Sequence, residues 1–203
     1  MDKNTPLNTA LIIFVRHPEL GSVKTRLAKV IGEEKTLHVY NLLLEHTRTV
    51  TRPVNCRKFV YYAGSIPEHD QWDLPGYTKR QQFGADLGER MLNAFTELFK
   101  QGFKRIMIIG SDCYQLRPAH LDSAVSSLEE NDAVIGPTFD GGYYLLGMNM
   151  LTPEIFRDKA WSSSLVAKQT IETFTRHNLS YHVLRQLHDV DEAADLEING
   201  IYI

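Results

Sequence analysis

The stretch Leu11-Ile12-Ile13-Phe14-Val15-Arg16-His17-Pro18-Glu19-Leu20-Gly21-Ser22-Val23-Lys24-Thr25-Arg26-Leu27 decides the fold. Its first five residues are apolar without alternation, the pattern of a strand covered on both faces. Pro18 and Gly21 then bend the chain, and Lys24 to Ile31 reads as the opening of a helix. The same strand pattern returns at Lys58–Ala63, Arg105–Ile109, Ala133–Ile135 and Tyr143–Leu146. Between these runs lie helical stripes. Leu121, Ala124, Val125 and Leu128 share one face, as do Leu87, Met91, Phe95, Leu98 and Phe99. Ala167, Thr170, Ile171 and Phe174 form a weaker stripe, and Thr36–Val50 reads as a further helix. Buried strands alternating with amphipathic helices predict an α/β fold in three layers (α/β/α) around a mostly parallel sheet. The turn Phe139-Asp140-Gly141 predicts one hairpin, and hence a mixed sheet after Ile135.

Composition narrows the function classes. The chain has 203 residues, with 43% apolar and 23% charged side chains, which excludes a disordered or fibrous protein. No linker divides it, so residues 1–203 are expected to form a single domain. A formal net charge of −3 gives no basic footprint for nucleic acid. Cys56 and Cys113 are the only cysteines, too few for a disulfide scaffold or a multi-cysteine zinc site. The apolar run Ala10–Val15 is too short for an export signal or a membrane span. A soluble cytoplasmic protein is expected.

In open sheets of this kind ligands bind beyond the carboxyl ends of the strands. After the first strand, Lys24 and Arg26 offer two full charges beside a helix start, each worth roughly 4 kcal/mol against a phosphate at ~4 Å in an effective dielectric of ~20. The loop is no Walker A motif, because Val23 stands where the second glycine belongs. It reads either as a phosphate loop or as an ordinary turn with solvated cations. After Arg105–Ile109, Asp112 suits a metal or ligand role, or the cap of a turn or helix. After the next strand, Asp140, Gly141 and Gly142 allow close backbone approach, or simply a hairpin. Asp191 precedes a helix predicted over Glu192–Ile198, and so reads as its N-cap or as a second carboxylate for a divalent cation. The loop Gln82–Met91 offers a capped helix start, or a pocket wall with Arg90 facing an anion. Trp161 is as well explained by core packing as by ligand stacking. Ser111 or Cys113 as a hydrolase nucleophile has little support, since Gly-x-Ser-x-Gly is absent.

Pro18-x-x-Gly21-x-Val23-Lys24-Thr25-Arg26-Leu27, Gly110-Ser111-Asp112-Cys113, Gly136-Pro137-x-x-Asp140-Gly141-Gly142-Tyr143-Tyr144-Leu145-Leu146-Gly147 and Asp189-Val190-Asp191 occur in this order. Together they resemble a bacterial family described as GT-A-fold glycosyltransferases, of the type associated with radical-SAM or selenium-domain proteins. That family lies in the nucleotide-diphospho-sugar transferase superfamily and is similar to phospholactate and molybdopterin guanylyltransferases and to CMP-sugar synthetases. The resemblance runs from Leu11 to Leu196. It implies a GT-A fold and a Mg²⁺- or Mn²⁺-dependent transferase acting on a nucleotide sugar or an NTP and an acceptor. Arg16, Pro18, Gly21, Lys24 and Arg26 would then bind the nucleotide phosphates, with Gly84 and Arg90 beside them. Asp112 and Asp191 would hold the metal. Asp140, Gly141, Gly142, Tyr143 and Trp161 would meet the substrate, with Lys24, Arg26 and Asp140 in catalysis. Glycosyl transfer ranks first, nucleotidyl transfer second, and a non-catalytic nucleotide-binding domain third. Two departures stand out: Tyr114 replaces a proline, and Glu192-Ala193-Ala194 replaces Thr-Pro-Glu.

Overall fold

The computed structural model describes residues 8–161 and 163–203. Seven strands form one sheet in the order β3-β2-β1-β4-β6-β5-β7. In chain order these are β1 (Thr9–Arg16), β2 (Arg57–Ala63), β3 (Tyr77–Gln81), β4 (Arg105–Ile109), β5 (Ala133–Pro137), β6 (Tyr143–Met148) and β7 (Tyr181–Val183). β1 pairs in parallel with β2 and β4, and β2 with β3, whereas β6 runs antiparallel to both β4 and β5. The expected mixed region after Ile135 is this reversal of β6, made by a hairpin with a register shift at Gly136/Pro137.

Helices cover both faces: α1 (Thr25–Ile31), α2 (Glu33–Thr51), α3 (Leu87–Lys100), α4 (Pro118–Glu130), α5 (Val166–Arg176) and α6 (Ala193–Ile198). Alternate strand residues separate the core into two halves, as a pleated strand requires. Leu11, Ile13 and Val15 pack with Tyr40 and Leu44 of α2 and with Leu121, Ala124 and Leu128 of α4. Ala10, Ile12, Ile106 and Ile108 pack with Met91, Phe95 and Leu98 of α3 and with Phe174 of α5. Both faces are therefore dry, which is why the strands read as continuous apolar runs. A third cluster, Leu27, Val39, Leu43, Val190 and Leu196, fastens α1 and α6 against α2.

Three sequence expectations change. β3, Tyr-Thr-Lys-Arg-Gln, escapes an apolar-run reading because it is an edge strand whose residues stay partly exposed. α1 starts at Thr25 rather than Lys24, which instead adopts a left-handed conformation (φ 47°, ψ 49°) at its N-cap. Leu87 leaves the apolar stripe of α3 and stands exposed at the mouth of a cleft.

Candidate active site

The cleft lies beyond the carboxyl ends of β1 and β4, from which the chain crosses toward β2 on one side of the sheet order and β5 on the other. It holds about 810 Å³ and reaches from Ala63 and Gln82 on one side to Tyr143 and Trp161 on the other. At its centre stands Lys24. Its left-handed backbone turns the side chain away from α1 and inward, leaving it only 6% exposed. Nζ lies 2.8 Å from Asp112 Oδ2 and 3.5 Å from Asp191 Oδ1, and Arg26 Nη1 lies 2.8 Å from Asp191 Oδ2. Both carboxylates remain 43–44% exposed toward the cleft.

Two loops are stitched together to build this pair of aspartates. Val190 N–H donates to Asp112 O at 2.9 Å, and His188 N–H donates to Gln115 Oε1 at 3.0 Å. The capping alternatives fail for both residues. No helix begins near Asp112, since α4 starts at Pro118 with Arg117 as its cap. For α6 the cap is Glu192, whose N–H donates to Asp195 Oδ2 at 2.7 Å. Asp191 uses only its backbone N–H on Asp195, which frees its side chain for Lys24 and Arg26.

Burial alone would lower the pKa of Lys24, but the charges of Asp112 and Asp191 outweigh it and raise the value, so the ammonium stays charged. Asp189 is pushed up to about 6, first by burial and then by the neighbouring charge of Asp140. The Cys113 thiol is buried and pushed up to about 12, which removes it as a thiolate nucleophile at neutral pH. Asp112 and Asp191 are hard oxygen donors converging on one cationic point, a set that suits Mg²⁺ or Mn²⁺. Among the described residues no three His, Cys, Asp or Glu side chains form a ready-made cage. A cation there would complete its shell with phosphate oxygens and water, as Mg²⁺ commonly does.

Arg16, Lys24, Arg26, Arg90, Asp112, Asp140, Gly142, Tyr143, Trp161 and Asp191 all line the cleft. Pro18, Gly21, Gly84 and Gly141 do not, and they act on shape instead. Gly21 takes φ +74° in the loop, and Gly84 O accepts from Arg90 Nε at 3.0 Å. Gly141 has φ +91° and packs so closely that an added Cβ would lie 2.0 Å from Ser164 O. The helix end adds little, because α1 has only seven residues. Lys24 and Arg26 carry the charge. Asp140 organises its own turn, with Oδ1 accepting from Thr138 Oγ1 and from Gly142 N–H.

The sequence reading gave Tyr40 no role, placed Gln82 only at the start of a pocket-wall loop, and assigned no site role to Asp189 within its motif. Tyr40 is buried, and its hydroxyl accepts from Arg16 N–H at 2.9 Å, holding the end of β1. Asp189 could have been found from Asp189-Val190-Asp191, since a fully buried Val190 turns both flanking aspartates toward the opposite side. The two departures are absorbed by packing. The Tyr114 ring packs tilted at 45° against His46, with centroids 4.6 Å apart, and is absent from the cleft lining, and Ala193 packs beside Leu196.

The family model described as "Uncharacterized protein conserved in bacteria (DUF2064)" matches residues 46–163, more than half of the chain. The chain belongs to this family. A crystal structure from Desulfovibrio desulfuricans G20, named as a presumptive nucleotide-diphospho-sugar transferase, is 31% identical. It superposes with a TM-score of 0.89 over 95% of this chain and 86% of that one. CMP:2-keto-3-deoxy-manno-octonic acid synthetase complexed with CTP shares the fold at 10% identity and TM-score 0.58, over 95% and 97% of the two chains. Rv0371c of Mycobacterium tuberculosis H37Rv, in complex with manganese, does so at 12% and 0.57, over 96% and 98%. No curated protein matches the chain. The DUF2064 chain thus has a nucleotide-diphospho-sugar transferase-like fold, as its motifs implied. No helix of its described residues is long and apolar enough to cross a membrane.

Proposed function

We propose that this DUF2064 protein is a metal-dependent transferase that moves a glycosyl group from a nucleotide sugar to an acceptor hydroxyl. The observation that carries the reading is Lys24, buried and charged between Asp112 and Asp191 at the centre of the cleft. Asp112 and Asp191 would hold Mg²⁺ or Mn²⁺, which when bound neutralises diphosphate charge. Support comes from manganese in Rv0371c and from the nucleotide-diphospho-sugar transferase name of the Desulfovibrio protein.

Lys24 and Arg26 would hold the diphosphate as negative charge builds on it. Because Lys24 is already fixed by two carboxylates, little reorganisation accompanies that step. Trp161 and Tyr143 line the side where the sugar and acceptor would sit. There the acceptor oxygen bonds to the anomeric carbon, the carbon–diphosphate oxygen bond breaks, and the hydroxyl proton passes to Asp140. With Asp140 Oδ1 committed to its turn, Oδ2 would be the oxygen to take it.

The main alternative is nucleotidyl transfer onto a phosphorylated acceptor, favoured by a single Asp112 where many glycosyltransferases carry Asp-x-Asp. The charge of the acceptor side weighs against it. Asp140 and Asp189 stand there, and residues 140–144 and 161–166 contribute no Lys or Arg to the described lining. A phosphate would meet two carboxylates there, and the lining cation on that flank is Arg90, which stands beside Met91, a contact of Tyr143. Incubation with nucleotide sugars and with NTPs, each with Mn²⁺ or Mg²⁺, tests the choice. Nucleoside diphosphate release from a sugar nucleotide is expected. Pyrophosphate release from an NTP would establish the alternative, and binding without either product would mark a nucleotide-binding domain.

A further inference from the structure

The residue after β3 turns back across the ends of its neighbouring strands. Gln82 Nε2 donates to Tyr61 O at 2.9 Å and to Val15 O at 3.3 Å, while Gln82 N–H donates to Tyr62 O at 2.9 Å. Two carbonyls on one side admit only the NH₂ end of the amide. A flipped side chain would set oxygen against oxygen twice, so the hydrogen-bond network fixes the orientation. Oε1 consequently points away from the strand ends. It accepts from no described residue, it is not among the buried unpartnered atoms, and Gln82 lines the cleft. The strands thus hold a rigid hydrogen-bond acceptor at the end of the cleft farthest from Trp161.

A nucleotide sugar gripped by its diphosphate at Lys24 must extend both ways. With the transferred group toward Asp140 and Trp161, its base falls over the ends of β1, β2 and β3, beside Phe14, Ala63 and Gln82. We propose that Gln82 reads the nucleobase there. Its fixed Oε1 accepts an N–H from the base edge, so a base carrying an exocyclic amino group is chosen over its counterpart with a carbonyl at that position. An amino group gives Oε1 a donor, whereas a carbonyl there sets two acceptors together and leaves both unpaired. A site built around a fixed hydrogen bond rejects the mismatched analogue more strongly than an apolar pocket can. The inference rests on the nucleotide-transferase reading above, and concerns which nucleotide the cleft takes.

The test is equilibrium binding of paired nucleoside diphosphates with Mn²⁺: CDP against UDP, ADP against IDP, and GDP against XDP. Each pair exchanges an amino group for a carbonyl and, in the neutral base, turns the adjacent ring nitrogen from an acceptor into an N–H donor, so the comparison separates reading of the amino group from reading of a ring N–H. In the unmodified protein, the amino member of whichever pair binds should be held at least about tenfold more tightly. Equal binding, or preference for the carbonyl member, would overturn the proposal while leaving the transferase reading intact. Gln82→Leu should level the preference. A folded Gln82→Leu protein that keeps it would show that another group reads the base. If the variant does not fold, because Val15 O and Tyr61 O lose their donor, the comparison in the unmodified protein still decides. Failure of every nucleoside diphosphate to bind would overturn the transferase reading, and this inference with it.

Discussion

The molecule holds two clusters of the same composition, each a lysine between two aspartates. Lys24 lies between Asp112 and Asp191 in the cleft, and Lys79 of β3 lies between Asp70 and Asp73 at the sheet edge. Their surroundings differ. Around Lys79 the polar capacity of Asp70, 15% exposed, is spent inside the protein, and Asp73 stays 41% exposed. Tyr62 OH and Trp72 N–H both donate to Asp70, Asp70 N–H donates to Asp73, and Lys79 Nζ also reaches Pro67 O at 3.2 Å. Buried Trp72 seals the loop, so the cluster pins residues 64–76 to the edge strand. Around Lys24, among the described residues, only Arg26 adds a salt-bridge partner, and both carboxylates keep nearly half of their surface open to the cleft. A saturated cluster is a fastener. An unsaturated one, with a buried cation held by open carboxylates, can add a ligand to the partners it already has.

The largest expected effect separates the two lysines. Lys24→Ala should lower turnover on a nucleotide sugar by about 10²–10³-fold, the loss typical of removing one preorganised electrostatic group, with a modest change in thermal midpoint. Lys79→Ala should do the reverse. Turnover should stay within a few-fold, while stability falls by about 1–3 kcal/mol as Asp70 loses a partner in a largely buried setting. Denaturant unfolding and product release measured on both variants check this. A large activity loss in Lys79→Ala at full folding would break the distinction.

Next in size is the response to ligand. With a nucleotide at ~100 times its dissociation constant, stabilisation of about 2.7 kcal/mol is expected in the unmodified protein. Asp112→Asn should abolish most of that shift in the presence of Mn²⁺, whereas Asp70→Asn should start from a lower midpoint and keep the shift. Equal shifts in the two variants would mean that Asp112 plays no part in holding nucleotide or metal.

The difference between the clusters also shows what the sequence could reveal. Strands buried on both faces write their burial into consecutive residues, so β1, β2 and β4 were legible directly. Lys24, Arg26 and Asp112 were legible as candidates because each follows such a strand, and strand ends are where an open sheet presents its loops. What was illegible depends on partners far away in the chain. β3 hides its pairing because an edge strand needs no apolar face. Tyr40 owes its place to Arg16, 24 residues away, and Gln82 to Val15, 67 residues away. Asp191 looked like a helix cap because Asp is a good one, and nothing local shows that Glu192 and Asp195 already fill that role. The fastener at Lys79 was invisible for the same reason, since its members come from a loop without pattern and from the hidden strand.

The smallest effect is a pH dependence that belongs to the fastener. Asp73 is held below the ordinary carboxylate value by its hydrogen bond from Lys79, and next by the N–H of Asp70. Because the folded-state value lies below the unfolded one, the unfolded chain binds more protons in the interval between them. Stability therefore rises with pH through that interval. Its contribution is fully present above about pH 4, the unfolded value, and is lost as pH falls through the lower folded value. Exposure screens the pair, so the effect is small. Thermal midpoints of the unmodified protein and Asp73→Asn, measured from pH 5 down to 2.5, should converge as acid removes the charge that the variant already lacks. A constant offset across that range would mean that Asp73 fastens the loop by shape and neutral hydrogen bonds alone, and that the two lysine clusters differ in more than how many of their partners are filled.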